Sequence, residues 1–170
     1  DDRDGIAPFD QPIEAAASEA IEQAAASYGE PSAENWLLRA YFLEPEHPVV
    51  LVALYRFFYY QHRLSDALLV AERVLRITAR ALGLPEDWRH LDRASFTERP
   101  PVPMPRLRFY MLALKGAGYL ELRLGDYPAA LQRLERVVEL DDNDRLGALA
   151  LLDLAKSALQ QRDTSAGVQA

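Results

Sequence analysis

Small and apolar residues recur at a fixed spacing along this chain of 170 residues, and that spacing constrains the fold more than any other feature. Ala33 and Ala67 are 34 residues apart, and Ala130 follows after a further 63 residues. The same two steps relate three other sets of residues: Leu37, Ala71 and Leu134; Ala40, Val74 and Val137; and Leu43, Ile77 and Leu140. The longer step equals one 34-residue period plus an insert of 29 residues. A regular period of this length indicates structural repeats, so we predict three units and one insert: residues 14–47, 48–81 and 111–144, with the insert at 82–110.

Each unit is predicted to contain two helices joined by a turn. Apolar residues within a unit lie three or four positions apart, which is the spacing of one helix face. Ala and Leu, which are strong helix formers, number 26 and 27. Asp10, Ser32 and Ser65 are candidate N-caps because their side-chain oxygens can accept free backbone N–H groups. The sequence therefore predicts an all-α fold with these helices: residues 12–27, 32–42, 48–61, 65–82, 107–125, 128–140 and 145–161.

The third unit carries the most informative motif. Gly118 is a small residue in the first helix of the unit, at the point where the paired helix is expected to cross closely. Gly125, Asp126 and Tyr127 form the predicted turn between the two helices. The second helix then continues with one small residue and two packing positions: Ala130, Leu134 and Val137. This motif and the 34-residue period resemble the tetratricopeptide repeat.

The other two units share this resemblance to different extents. Pro45 of the first unit matches the proline that closes the repeat, where the third unit has Asp142. The second unit has Tyr55 where a small residue is expected, and its turn lacks glycine. The resemblance covers residues 14–161. It implies a right-handed superhelical solenoid of antiparallel helix pairs that binds proteins or peptides, and it implies no reaction.

The resemblance also organises the rest of the chain around one domain, residues 14–161. Residues 1–13 are predicted to form an irregular arm. The helix at 145–161 is predicted to cap the last pair, because a stack of helix pairs needs a covering element with a polar outer face. Residues 162–170 are predicted to form a fraying tail.

The insert differs in kind from the repeats. Its prolines disfavour a regular helix over residues 100–105. Trp88, Leu91 and Phe96 are spaced to fold back onto the repeats. Alternatively, the proline-rich segment lies in the concave groove as an internal plug.

Six residues form the candidate binding surface. The resemblance implies that the first helix of each pair lines the concave side, and the helical period then places a basic and aromatic group there: Arg56, Tyr59, Tyr60, Lys115, Tyr119 and Arg123. Tyrosine and arginine are frequent anchors of protein interfaces, and the cations would select an acidic or carboxylate-bearing segment. The alternative is a packing role, in which Tyr59 and Tyr60 are buried against the insert and Arg123 pairs with Glu121 or Asp153.

One known recognition mode of the resembling family is not expected here. Some members bind a C-terminal carboxylate through a lysine and an asparagine that lie one helical turn apart. Tyr119 follows Lys115 at that distance in this chain, so the asparagine is missing. At the other end of the groove, the first helix presents Ser18, Glu19 and Glu22, which makes that end acidic.

Catalytic and metal-binding patterns are weak in this sequence. The chain has no cysteine, which excludes disulfides, thiolate metal sites and a cysteine nucleophile. His47, His62 and His90 lack the close spacing of metal ligands, and we interpret them as solvated loop residues. We expect no enzymatic activity, no cofactor and no metal, with a hydrolase or metal enzyme as the remote alternative.

Charge and hydropathy narrow the class of partner. The 26 acidic and 19 basic residues give a net charge of −7, which disfavours binding to nucleic acid. No apolar run reaches the ~20 residues that span a bilayer. We predict a non-enzymatic interaction module, acting as a chaperone, assembly factor or adaptor, that holds a partner segment in its concave groove. The alternative is a structural subunit of a homo- or hetero-oligomeric complex.

Two further features concern the origin and the location of the protein. Arginine supplies 17 of the 19 basic residues, a bias typical of GC-rich bacterial coding sequences. We expect a cytoplasmic protein. The sequence begins with Asp1 and not with Met, so removal of a targeting segment is the alternative.

Overall fold

The computed structural model of this protein describes residues 8–97 and 104–167. These residues form α-helices and short 3-10 turns, and they contain no β-strand. The all-α prediction is therefore confirmed. The α-helices have these bounds: α1 Ala15–Ala26, α2 Ser32–Leu43, α3 Pro48–Tyr60, α4 Leu64–Leu82, α5 Ala94–Thr97, α6 Met104–Leu124, α7 Tyr127–Leu140 and α8 Ala148–Gly167. The 3-10 turns are Pro8–Asp10, Trp88–His90 and Asp142–Asp144.

The long helices pack mainly against their neighbours in chain order. Helix α1 packs on α2, α3 on α4, α6 on α7, and α7 on α8. Across the predicted insert, α4 packs directly on α6, so the segment between them does not separate the two units. Within the described part of the chain, no helix is both long and apolar enough to cross a membrane.

The residues with the 34-residue spacing form much of the core. Nine of them are no more than 5% exposed: Ala33, Ala67, Ala130, Leu37, Ala71, Leu134, Ala40, Val74 and Val137. The fourth set is different, because Leu43 is 37% exposed and Ile77 and Leu140 are only partly buried. Leu43 and Leu140 are the last residues of α2 and α7, where the packed face ends, whereas Ile77 lies within α4 ahead of the buried Ala79.

Two glycines of the third unit have the roles that the sequence predicts. A Cβ atom on Gly118 would lie 2.9 Å from Cγ and Cδ2 of the buried Leu134, so only glycine allows this close approach of α6 and α7. Gly125 has a φ of +79°, a left-handed conformation that glycine adopts without strain. Asp126 then caps α7, since its carboxylate accepts a hydrogen bond from the Ala129 amide.

Several predicted helix starts are wrong. Helix α1 begins at Ala15 and not at residue 12, and Asp10 lies in a separate 3-10 turn. Helix α4 begins one residue before Ser65, and neither α4 nor α2 has a side-chain N-cap. Helix α6 begins at Met104 and not at residue 107. Proline is tolerated in a first turn, where the N–H has no helical partner, so Pro105 does not prevent this earlier start.

The predicted bounds of the insert and of the C-terminal segments also need correction. The insert at 82–110 contains α5 and the first two turns of α6. Its Trp88 and Leu91 are buried in the core and Phe96 packs against them, as predicted. The proposed plug at residues 100–105 falls largely outside the described residues, which resume at Met104.

The capping helix predicted at 145–161 spans Ala148–Gly167, so the predicted tail at 162–170 is helical as far as Gly167. Its inward face consists of Ala148, Leu152 and Ala155, which are buried, whereas Leu149 is 45% exposed. The remaining residues of the tail, and residues 1–7 of the predicted N-terminal arm at 1–13, lie outside the described part.

Candidate functional site

An apolar hollow of about 510 Å³ lies between α3 and α6, with α4 beneath it. Its walls are almost entirely carbon, and Leu112 at its opening is 44% exposed. Arg56 and Arg108 line it as well, and each of these side chains carries a positive charge. The other lining residues are Pro8, Phe9, Val52, Tyr55, Ala71, Val74, Pro105, Phe109, Ala113 and Gly116. This hollow can take an apolar side chain and present positive charge beside it.

The N-terminal 3-10 turn reaches this hollow from outside the helix stack. The ring of Phe9 meets the ring of Phe109 edge to face, with 5.5 Å between the ring centroids. Pro8 is buried, whereas Phe9 is 53% exposed. Part of the predicted irregular arm therefore lies against α3 and α6.

His47 fastens the arm to the corner between α2 and α3. Its Nδ1 accepts a hydrogen bond from the Val49 amide at 3.2 Å, which caps α3. Its Nε2 then carries the hydrogen and donates it to the Gln11 carbonyl, 3.1 Å away. The prediction of a solvated loop histidine is wrong for His47, which is 6% exposed. A histidine directly before a helix-starting proline is a cap candidate, and this signal was available in the sequence.

A tyrosine cluster adjoins the hollow. Tyr59 of α3 and Tyr119 of α6 face each other with 3.4 Å between their hydroxyl oxygens. Arg123 donates a hydrogen bond of 2.9 Å to the Tyr119 hydroxyl. Tyr55 stacks on Tyr59 with parallel rings 6.3 Å apart. Three of the six predicted residues, Tyr59, Tyr119 and Arg123, are thus in mutual contact.

These contacts shift the pKa values of the phenols in opposite directions. The hydrogen bonds that Tyr119 accepts from Tyr59 and Arg123 lower the pKa of Tyr119. Tyr59 donates its hydrogen to Tyr119, which raises the pKa of Tyr59. Burial raises the pKa of Tyr55, and the neighbouring phenols add to that effect. The Tyr119 oxygen is therefore the point of the cluster where negative charge is best stabilised.

Replacing Arg123 with Met is expected to raise the pKa of Tyr119, because the cation and its hydrogen bond are removed. The pKa is measured from the ¹³Cζ chemical shifts of labelled tyrosines during a pH titration. Arg56→Met is the matched control, since its cation has no contact with Tyr119, and it is expected to leave this pKa unchanged. An unaltered Tyr119 pKa in Arg123→Met would contradict the described contact.

The other three predicted residues have different surroundings. Lys115 donates a hydrogen bond of 2.5 Å to the Leu146 carbonyl, so it fastens the segment before α8. Tyr60 is 57% exposed and lies on a second hollow. Arg56 lines both hollows. The Tyr60 ring also meets the Tyr59 ring edge to face, with 5.4 Å between the ring centroids, so Tyr60 adjoins the tyrosine cluster.

The second hollow lies between α1, α2 and α3 and also measures about 510 Å³. It is largely apolar, and Tyr28 and Tyr60, which line it, are each more than half exposed. The remaining lining residues are Ile21, Ala24, Ala25, Leu37, Ala53, Arg56 and Phe57. Phe57 and Tyr60 both belong to the apolar helix α3. The sequence analysis did not predict that part of this helix would border a second hollow.

A buried ion cluster joins α4, α6 and α7 below the candidate site. Arg133, 2% exposed, donates two hydrogen bonds to the Glu121 carboxylate, of 2.6 and 3.0 Å, and a third to Glu72. The flat face of its guanidinium stacks on Trp88, with Cζ 4.8 Å from the ring centroid. These carboxylates raise the pKa of Arg133 against the opposing effect of burial. The alternative in which Arg123 pairs with Glu121 is wrong, because Glu121 lies on the buried side of α6 and pairs with Arg133.

Metal-binding geometry is not found among the residues that the structure describes. No three His, Asp or Glu side chains there come together in a group that would hold a metal ion. The polar groups around the main hollow are the two arginines and the tyrosine hydroxyls. The arrangement fits recognition of an apolar and acidic ligand.

No family model and no solved structure matches this chain. Over 146 residues it is 44% identical to an uncharacterized 19.8 kDa protein in the nifW 5′ region of Azotobacter chroococcum mcd 1, covering 86% of this chain and 81% of that protein. The chain belongs to the family of this Azotobacter protein.

In this family member, the sequence reasoning missed the apolar hollow beside the predicted groove residues. It singled out charged and aromatic positions and did not weigh their apolar neighbours. Phe109, Leu112 and Gly116 lie three and four positions apart on one stripe of α6. That periodicity, extended upstream of Lys115, was the signal in the sequence that could have located the hollow.

Proposed function

We propose that this protein is a non-enzymatic interaction module that binds a segment of a partner protein in the hollow between α3 and α6. The observation that carries the proposal is the apolar hollow itself, which leaves Leu112 44% exposed. Ligand pockets of this kind are concave and mostly apolar, with a few polar groups that orient the ligand. The proposed role requires binding and no chemical step.

The charges at the hollow support an acidic partner segment. Among the described residues, neither Arg56 nor Arg108 forms an ion pair or hydrogen bond, although both line the hollow. Two unpaired cations beside an apolar wall would attract a carboxylate next to an apolar side chain. The protein as a whole carries a net charge of −7, so attraction of an acidic segment depends on this local charge.

The helix order supports a tetratricopeptide-like stack as the framework of this module. Helices α1–α2, α3–α4 and α6–α7 would be the three repeats, and α8 would be the capping helix. The first helices of the second and third repeats would then line the hollow together. In such a framework the protein would act as a chaperone, assembly factor or adaptor.

The Azotobacter relative is named for its position in the nifW 5′ region. We propose the nifW product of the same organism as the first partner to test. Products of adjacent genes are a reasonable starting point for a search for partners, and photo-crosslinking inside cells can detect other partners as well.

Photo-crosslinking inside cells tests this function directly. Benzoylphenylalanine at position 112 is expected to crosslink a partner protein through an apolar segment that contains Asp or Glu. Position 69 of α4 is the matched control, because Leu69 is also exposed, at 68%, and does not line the hollow. Purified partner is then expected to bind Leu112→Glu at least about tenfold more weakly than wild type. The proposal fails if positions 112 and 69 crosslink the same proteins, or if Leu112→Glu binds normally.

The second hollow favours one alternative, a structural subunit of a larger complex. Tyr28 and Tyr60 expose more than half of their surfaces beside a largely apolar wall, and tyrosines of this kind are frequent at protein interfaces. Mass measurement in solution distinguishes this role: a stable dimer that Tyr60→Glu dissociates would support it.

A further inference from the structure

The hollow between α3 and α6 is already in contact with a segment of the same chain. Pro8 and Phe9 line it, and Phe9 lies edge to face on Phe109. This segment is held at its far end by two hydrogen bonds. One joins the Gln11 carbonyl to His47, and the other joins the Glu14 amide to the Glu44 carboxylate at 3.1 Å.

The contact fills only part of the site. Phe9 remains 53% exposed, and the hollow beside it still measures about 510 Å³. The docked turn is only three residues long, Pro8–Asp10. Because little apolar area is buried, the turn is held weakly and can be displaced. The anchors at Gln11 and Glu14 keep it close to the hollow after it leaves.

We propose that Pro8–Asp10 is an internal competitor for the partner segment, and that the partner presents the same chemistry, an aromatic ring followed by a carboxylate. This inference rests on the proposed function. Phe9 shows which type of side chain the hollow accepts. The next residue, Asp10, carries a carboxylate but does not line the hollow or pair with either arginine in the docked turn, so the acidic group of the partner is inferred from the charge of Arg56 and Arg108. Arg56 and Arg108 are the cations that such a carboxylate can pair with.

Tethering sets the size of the expected competition. A segment anchored a few residues away has an effective concentration in the millimolar range, so weak contacts suffice to occupy the site. If the turn is docked nine-tenths of the time, it lowers the apparent affinity for a competing segment about tenfold. Removing the Phe9 ring should therefore raise the apparent affinity for the competing segment about tenfold.

The test uses the full chain and an acetylated synthetic peptide with the sequence of residues 8–14, titrated into ¹⁵N-labelled protein and followed by NMR. Phe9→Ala is expected to bind the peptide about tenfold more tightly than wild type, with shifts at Leu112 and Gly116. Gln11→Ala is the matched control, because it changes the arm but keeps the backbone carbonyl that binds His47, and it should behave as wild type. Phe9 is more than half exposed, so Phe9→Ala should fold normally, which circular dichroism checks.

Further measurements change either the peptide or the hollow to test which contacts determine specificity. A peptide with its Phe replaced by Ala, or its Asp by Asn, is expected to bind more weakly, and Leu112→Glu in the Phe9→Ala background should abolish binding. Equal affinity of wild type and Phe9→Ala would overturn the internal competitor, and no binding to Phe9→Ala would overturn the shared chemistry. In both cases crosslinking of a partner at position 112 would still stand as the separate measure of the proposed function.

Discussion

Replacing Arg133 with Met is expected to lower the free energy of unfolding by about 3–5 kcal/mol, because it leaves the buried Glu121 carboxylate, and the partly exposed Glu72 carboxylate beside it, without their cation. Glu121 is 6% exposed and loses both of its hydrogen bonds from the guanidinium. Glu72 loses its bond as well. Chemical denaturation followed by circular dichroism measures the change.

Two comparisons separate this charge effect from a general loss of packing. Gln132→Ala, one position away on the exposed side of α7, is expected to change the free energy of unfolding by less than about 0.5 kcal/mol. A triple variant with Arg133→Met, Glu121→Leu and Glu72→Gln should regain most of the loss, since no charge is then stranded in the interior. A triple variant as unstable as Arg133→Met alone would show that shape, and not charge, explains the loss.

Replacing Gly118 with Ala is expected to lower the free energy of unfolding by about 1–3 kcal/mol, the range of overpacked cores. Without the α7 contact, the same substitution would stabilise helix α6 by up to about 1 kcal/mol, because glycine is a poor helix former. The new methyl group would meet Leu134, which is fully buried, 2.9 Å from Cγ and Cδ2. The sign of the change thus reports whether α6 and α7 cross here.

Gly116→Ala is the matched control in the same helix. Its Cβ would lie 3.3 Å from the Tyr55 hydroxyl, which belongs to a flexible side chain that is not fully buried. We expect this variant to be as stable as wild type or more so. The double variant Gly118→Ala with Leu134→Ala should be more stable than the sum of the single changes indicates, because the smaller side chain makes room for the methyl group. Equal responses at positions 116 and 118 would contradict the described crossing.

Periodicity predicted the helices and their shared core well, and local rules predicted the ends poorly. Residues that are 34 positions apart occupy equivalent places in successive helix pairs. They are buried where the two helices of a pair pack against each other, so packing maintains the spacing. Helix ends depend on single hydrogen bonds that alternatives can replace. Serine is a preferred N-cap residue. Helix α4 nevertheless starts one residue before Ser65, and no side chain caps it.

The candidate site was predicted in part, for a physical reason. The helical period, together with the stacking that the repeat resemblance implies, brings Tyr59, Tyr119 and Arg123 to one side, and the structure has them in contact. The helical period does not determine which group the end of a long side chain contacts. The hydrogen bond from Lys115 to the Leu146 carbonyl was therefore not predictable. The docked arm depends on contacts between residues about 100 positions apart, such as Phe9 and Phe109, and no local pattern encodes those.

The first helix has a consequence for how the molecule opens. The buried face of α1 consists of three alanines, Ala17, Ala20 and Ala24, and alanine buries much less apolar area than leucine. We therefore expect the backbone amides of α1 to exchange with solvent through local opening events, at lower free energy than those of α6 and α7, where large side chains and the Arg133 cluster hold the helices together. The arm at residues 8–14 continues directly into α1. Opening of this helix that also breaks the hydrogen bonds of Gln11 and Glu14 would lengthen the tether of Pro8–Asp10. Access to the hollow would then depend on the weakest cooperative unit of the fold.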